Sequence, residues 1–371
     1  MAARIDLSDF EFFPIAALDA AGSRLAVAEL PVVALFDTNA GRKLGEFRWL
    51  RGHATENITA APTAKRRRSA KASKPYEEPL YETAGIPVVI EFSPDGRHLF
   101  VGCSHHSGAL GANDCYLFDV SRPGASSRFV SIEKAMRANG IASRDYNYND
   151  PAAASFAPDG EEIAVAGSFG ALFFSVSDEN STRALALPDV RNKLGTPGAG
   201  RESCAITFRE HRGALAWCDS LWLFDRDDLG RVRELRSPGR TRLAGHVAFR
   251  DDDTLVVGSR ETVEGIGEEH LVHAVDLRTD EWRSIRLPAA LKWLSRDGRS
   301  ALCSNNQGHE LIRVNLRTQE AVTIRRAKSA GRAASRLLSI SADGVTIART
   351  IGGLELGADA TAAVITRRVR R

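Results

Sequence analysis

Residues Ile86–Val120 read IPVVIEFSPDGRHLFVGCSHHSGALGANDCYLFDV. Val88, Val89, Ile90 and Phe92 are branched or aromatic and suit a pleated, extended backbone. Pro94 presets its own φ, and Asp95-Gly96 supplies the left-handed conformation that a tight turn needs. A second apolar run, a polar loop and a third run ending Leu117-Phe118-Asp119-Val120 follow. The segment predicts three consecutive antiparallel strands, joined first by a tight turn and then by a long loop.

The chain repeats this unit. With the turn as marker, copies recur at Leu18–Gly22, Phe92–Gly96, Phe156–Gly160, Phe208–Gly213, Phe249–Asp253, Leu294–Gly298 and Ile340–Gly344, with spacings of 74, 64, 53, 40, 45 and 46 residues. The last three match the period of four-stranded propeller blades, about 40–45 residues, and inserted loops account for the longer ones. Strands such as Ile86–Phe92 and Thr254–Ser259 are apolar on both sides, as a sheet covered on both faces requires. The expected architecture is one all-β domain, a seven-bladed β-propeller. Its blades fall at about 13–50, 86–131, 152–187, 203–236, 243–287, 290–325 and 335–368. The seventh repeat lacks a fourth strand, and residues 4–7 are expected to supply it, closing the ring and removing its open edges.

The sequence resembles the WD-repeat family. Phe36-Asp37, Phe118-Asp119, Phe224-Asp225 and Val275-Asp276 stand where that family places Trp-Asp, and Gly52-His53 and Gly245-His246 where it places Gly-His. The Trp is missing from every such pair, so the family's internal Asp–His–Ser/Thr–Trp network is not expected intact in any blade. The Phe92–Gly96 turn is also similar to those of lactonase-type and TolB-like propellers.

Composition bounds the rest. The amino terminus has acidic residues where a secretory leader needs an apolar core, no run reaches membrane-spanning length, and Arg- and Ala-rich usage points to a high-GC bacterial source; a cytoplasmic protein is expected. Five cysteines then read as buried thiols. Lys65, Arg66, Arg67, Arg68, Lys71 and Lys74 outweigh the whole chain's formal charge of +3, so the remainder is slightly acidic and no general polyanion-binding surface is implied. Those six lie in an insertion, residues 51–85, without apolar periodicity, read as a disordered electrostatic arm. Ser131–Gly140 carries the start and stop signals of a helix.

Strand alternation sends the second-to-third and blade-to-blade loops to one end of the propeller and the tight turns to the other. Nearly all unusual length is at the first end: 51–85, 104–114, 132–150, 188–202, 259–270, 305–310 and 351–360. Long loops on a rigid scaffold concentrate recognition, and His105, His106, Asp114, Tyr146, Tyr148, Glu264, Glu268, Asn305, Asn306 and His309 are the candidate partner-binding residues there. His105, His106 and Asp114 with Cys103 and Cys115 have metal-ligand chemistry but no standard zinc spacing, so no metal and no cofactor is expected. Gly195–Gly200 imitates a phosphate loop, yet Arg201-Glu202 follows where Lys-Ser/Thr is needed. No nucleophile elbow or His-Glu-x-x-His pair is present, so no catalytic residue is assigned. The leading expectation is a non-enzymatic protein-interaction scaffold in a bacterial multi-protein system. A lactonase-like hydrolase, and a nucleic-acid-associated propeller using residues 65–74, are the alternatives.

Overall fold

The computed structural model describes residues 2–7, 15–29, 32–48, 86–104, 114–122, 127–141, 151–167, 169–187, 204–238, 242–263, 267–304, 310–326, 337–341, 346–351 and 362–367. Seven four-stranded antiparallel sheets account for nearly all of them.

Strand β1 (Ala2–Asp6) stands alone at the start of the chain. Sheet 1 is β2 (Ile15–Leu18), β3 (Arg24–Glu29), β4 (Val32–Asp37) and β5 (Lys43–Arg48). Sheet 2 is β6 (Ile86–Phe92), β7 (His98–Ser104), β8 (Asp114–Asp119) and β9 (Arg128–Ser131), followed by helix α1 (Ile132–Ala138). Sheet 3 comprises β10 (Pro151–Phe156), β11 (Glu162–Gly167), β12 (Gly170–Ser175) and β13 (Thr182–Leu185). Sheet 4 comprises β14 (Cys204–Arg209), β15 (Arg212–Trp217), β16 (Ser220–Asp225) and β17 (Val232–Arg236). Sheet 5 has β18 (Arg242–Phe249), β19 (Thr254–Val263), β20 (Gly267–Asp276) and β21 (Trp282–Arg286). Sheet 6 has β22 (Ala290–Leu294), β23 (Ser300–Ser304), β24 (Glu310–Asn315) and β25 (Ala321–Arg326). Sheet 7 joins β26 (Leu337–Ile340), β27 (Thr346–Ile351) and β28 (Ala362–Arg367) to β1, in the order β1-β28-β27-β26.

The amino-terminal strand is therefore the outermost strand of the last sheet, in register Ala2↔Thr366 to Asp6↔Ala362. It spans 2–6 where the sequence indicated 4–7. The fold is an all-β propeller, but a count of its blades gives six where seven were expected, whereas hydrogen-bonded pairing gives seven sheets. Six sheets are runs of consecutive strands, and sheet 7 alone is assembled from both chain ends. Its described seam with sheet 6 is also the thinnest, comprising Leu302, Ile340 and Ile347 with Trp293 and Ile324 against them.

The tight turns show why their residues recur. Gly96 takes φ +69° and its amide donates to Ser93 O at 2.8 Å. The buried Ser93 hydroxyl donates to Asp95 and accepts from the His98 amide, at 2.6 and 2.9 Å. Ser295 does the same with Asp297 and Ser300, so the serine closes the hairpin from inside. The fourth marker is different. Arg209 pairs with Arg212, leaving Glu210-His211 as the turn, while Gly213 lies within a strand where an added Cβ would fall 2.1 Å from the Phe224 ring. That glycine makes room for an aromatic rather than for a turn. The aspartates of the Phe-Asp pairs cap the next turn: Asp37 accepts from the Asn39 and Ala40 amides, and Asp225 from Asp227.

Apolar side chains of adjacent sheets meet in seams. Leu35, Phe47, Val101 and Phe118 join sheets 1 and 2. Phe100, Leu117, Ile163 and Leu172 join sheets 2 and 3, with Ile132, Ala135 and Met136 of α1 in the same cluster. Ser131 caps that helix by accepting from the Lys134 amide, as the sequence predicted. Arginines staple the seams from outside. Arg128 donates to Ser175 O and Val176 O, Arg183 to Arg226 O, Arg212 to Asp252 O and Arg233 to Leu277 O, each reaching the next sheet.

Candidate functional site

Most sequence-nominated residues fall outside the described residues: His105, His106, Tyr146, Tyr148, Glu264, Asn305, Asn306, His309 and the run Lys65, Arg66, Arg67, Arg68, Lys71 and Lys74. Asp114 begins β8, opposite Ser131. Glu268 is exposed on β20, opposite Thr262. Cys103 and Cys115 are buried in separate clusters, on opposite faces of sheet 2, and do not converge. Among the described residues no three His, Cys, Asp or Glu side chains are grouped to hold a metal ion.

The long loop expected over 259–270 is corrected. Strands β19 and β20 continue in register through Arg260↔His270, Glu261↔Glu269 and Thr262↔Glu268 to Val263↔Gly267. Neighbouring β18 pairs with β19 only as far as Arg242↔Arg260, and β21 with β20 only as far as Leu271↔Arg286. The last three pairs therefore extend beyond the sheet as a two-stranded ribbon. Gly267 pairs with Val263 at the outermost described position, and Thr262-Val263 is the β-favouring signal in the sequence.

Sheet 5 also encloses a buried polar cluster. His273, 1 % exposed, is hydrogen-bonded through Nε2 to Ser259 Oγ at 2.7 Å and through Nδ1 to Ser284 Oγ at 2.9 Å, with Trp282 edge-on at 5.5 Å. Burial pushes its pKa down to about 4, so the ring is neutral near pH 7. The family-type Gly245-His246 does not make this bond; a histidine on the third strand does. Ser259 is wholly buried, so this Ser–His pair holds the sheet together and reaches no substrate.

Five first strands carry a register shift near their start, and two of these place polar side chains there. In β18 the shift lies between Leu243 and Val247 and includes His246; in β22 it lies between Leu291 and Trp293 and includes Lys292. Bulges re-aim side chains and gather beside functional sites. His246 is pushed down to about 4 by burial and then by the charges of Lys292 and Arg260. His270 is lowered by burial, with Arg260 and Lys292 adding to it and Glu268 opposing. At the other end of the first strands, Arg296 of the sheet 6 turn meets Glu91 of sheet 2 at 2.7 Å. Those sheets are not neighbours, so the pair spans the ring. Burial raises the Glu91 pKa, and Arg296 offsets this in part.

No protein-family model matches the chain, and no curated protein matches it in sequence. Its fold is similar to several solved propellers. The β-propeller domain of Cps50 (Swd1) from Myceliophteria thermophila aligns over 99 % of this chain and 100 % of its own, at 13 % identity and a TM-score of 0.58. Hydrazine synthase of Kuenenia stuttgartiensis aligns over 96 % of both chains, at 12 % identity and a TM-score of 0.57. A chain of the mitotic checkpoint complex aligns over 99 % of this chain and 94 % of its own, at 11 % identity and a TM-score of 0.56. At such identities the likeness is one of fold: this chain is a β-propeller whose neighbours include WD40 proteins and an enzyme.

Proposed function

We propose that the protein is an interaction scaffold that engages a protein partner at the end of the propeller carrying the long connections, with the β19–β20 ribbon as its principal contact. The observation that carries this reading is the ribbon itself. Its outer pairs leave backbone donors and acceptors on both edges without a neighbouring strand of sheet 5, the geometry that accepts an added strand from another chain. The opposite end is built from short turns whose polar groups are used internally, as at Ser93 and Ser295. A structural neighbour found in a multi-protein complex adds support from fold alone. The candidates Asp114 and Glu268, with those at 105, 106, 146, 148, 264, 305, 306 and 309, belong to the same proposed surface, and the basic run at 65–74 is proposed as its electrostatic arm.

The test replaces residues 261–269 by a two-residue turn and compares co-purification with the unaltered chain. A stoichiometric partner is expected to be lost with the ribbon and retained when Arg209 and Arg212, on the opposite end, are changed to Gln. Retention without the ribbon overturns the assignment. We further propose that sheet 7 closes the ring as a seventh blade. Ala3 and Ile365 are register partners, so an A3C/I365C variant is expected to oxidise to an internal crosslink that shifts electrophoretic mobility; a variant that stays reduced under oxidant refutes that closure.

A further inference from the structure

Propeller blades surround a central channel. The first strands of successive sheets line it here, β2 packing on β6, β6 on β10, β10 on β14 and β14 on β18. In sheets 1 to 6 the residue just before the last apolar position of the first strand is Ala17, Glu91, Ser155, Thr207, Ala248 and Trp293 in turn. Glu91 is the one charged residue of the six. Its neighbours Ile90 and Phe92 pack into the seam with sheet 1, so strand alternation turns Glu91 away from that seam. Its carboxylate accepts from the Arg296 guanidinium at 2.7 Å, through Oε1 and one terminal nitrogen. Sheets 2 and 6 do not adjoin, and Arg296 stands in a tight turn, so the contact lies across the channel mouth at the tight-turn end. Among the described residues Glu91 makes no other hydrogen bond, and its second oxygen is unused.

We propose that Glu91 is the receptor of a binding site at this mouth for a ligand guanidinium group, and that Arg296 is its built-in occupant, displaced when the ligand enters. The occupant states the chemistry: a planar guanidinium already reaches the carboxylate across the channel. It does so through a single bond, whereas a guanidinium that approaches along the channel engages both carboxylate oxygens at once, the stronger arrangement. Room beside Glu91 comes from the short residues at the same step of the neighbouring sheets. Ser155 and Thr207, both half-buried, add hydroxyls that accept from the remaining N–H groups of the ligand. Burial penalises the Glu91 charge and Arg296 offsets part of that penalty, so this carboxylate is not left without a cation. Displacement is easy, because the Arg296 side chain is 52 % exposed and turns out into water, and a pair this open contributes little to stability. The site lies at the end opposite the ribbon and stands independently of the partner-binding reading.

Methylguanidinium is the first probe, with methylammonium as a control of equal charge, both titrated into the full chain at constant ionic strength and followed by NMR of the probe methyl group. Arg296→Gln is expected to bind methylguanidinium about fivefold more tightly than the parent, because the competing occupant is gone. Glu91→Gln is expected to bind it about tenfold more weakly than the parent, because the receptor is gone. The two halves of one ion pair then respond in opposite directions, which a contact that merely ties sheet 2 to sheet 6 does not produce. If Glu91→Gln fails to fold, the gain in Arg296→Gln carries the test alone. A free guanidino compound and an arginine side chain share this chemistry, and competition separates them. Displacement of the probe by arginine amide alone marks a small molecule, and equal displacement by an end-blocked tripeptide with a central arginine marks a peptide. Methylguanidinium affinity the same in Arg296→Gln as in the parent, affinity unchanged in a folded Glu91→Gln, or methylammonium binding as tightly, overturns the proposal.

Discussion

Sheet 5 sets an imidazole into each of its two faces, and both titrate near pH 4 for different reasons. His273 faces sheet 4, with each ring nitrogen bonded to a serine hydroxyl, and burial alone depresses it. His246 faces sheet 6, where burial acts together with Lys292 and Arg260. The first is a neutral ring with its hydrogen bonds complete. The second is held down by burial and by two cations. Equal values therefore conceal unequal responses: a change in a neighbouring charge moves His246 and leaves His273 where it is.

The largest expected effect comes from removing the completed network. His273→Ala leaves the buried Ser259 hydroxyl without its partner and opens a cavity, which costs about 3 kcal/mol. Chemical denaturation checks this through a lowered midpoint. A change within about 1 kcal/mol would show that the serines find other partners and that the network is dispensable.

The acid limb of stability comes next. A histidine of folded pKa about 4, against about 6.5 unfolded, binds fewer protons folded than unfolded between those values. Stability is then fully present above pH 6.5 and falls as pH drops towards 4, by about 3 kcal/mol for His273. His246 adds to the slope in the same direction. A midpoint independent of pH between 6.5 and 4.5 would contradict both assignments.

These residues also mark how far the sequence was legible. The repeat was visible because its cause is local: a Ser-x-Asp-Gly hairpin is closed by its own side chains, so its signature survives at Ser93 and Ser295 without reference to neighbours. The pairing of the amino-terminal strand with the last sheet could be read from an unpaired strand count. Gly213 misled, because a glycine that clears space for Phe224 cannot be distinguished by sequence from one that turns the chain. The ribbon was hidden by Gly267, which pairs with Val263 as part of a strand rather than of a loop. His246, Arg260 and Lys292 are up to 46 residues apart in sequence, and the charges that act on His246 come from other strands, for which there is no local signal. Arginine abundance pointed to genome composition, yet Arg128, Arg183, Arg212 and Arg233 donate to carbonyls of the next sheet.

A smaller effect is expected from Ser284→Ala. It removes the partner of His273 Nδ1 while Ser259 still holds Nε2. One unmet hydrogen bond at the partly exposed edge of the network costs about 1–2 kcal/mol. The same change leaves the His246 titration untouched, because Ser284 and His246 lie on opposite faces of the sheet. A shift in His246 on this substitution would mean that the two faces communicate through the strands.

The smallest change in stability tests the contrast most directly. Lys292→Gln removes one cation from an exposed side chain and is expected to alter the unfolding midpoint by less than about 0.5 kcal/mol. Its mark is electrostatic. With Lys292 gone, Arg260 is the remaining cation acting on His246, and the His246 pKa rises. His270, which shares the same lysine, rises with it. His273 stays fixed, since no charge contributes to its shift. The three rings resolved in one NMR titration thus report whether burial or repulsion holds each of them neutral. If all three move together, Lys292 acts through the structure of sheet 5 rather than through its charge.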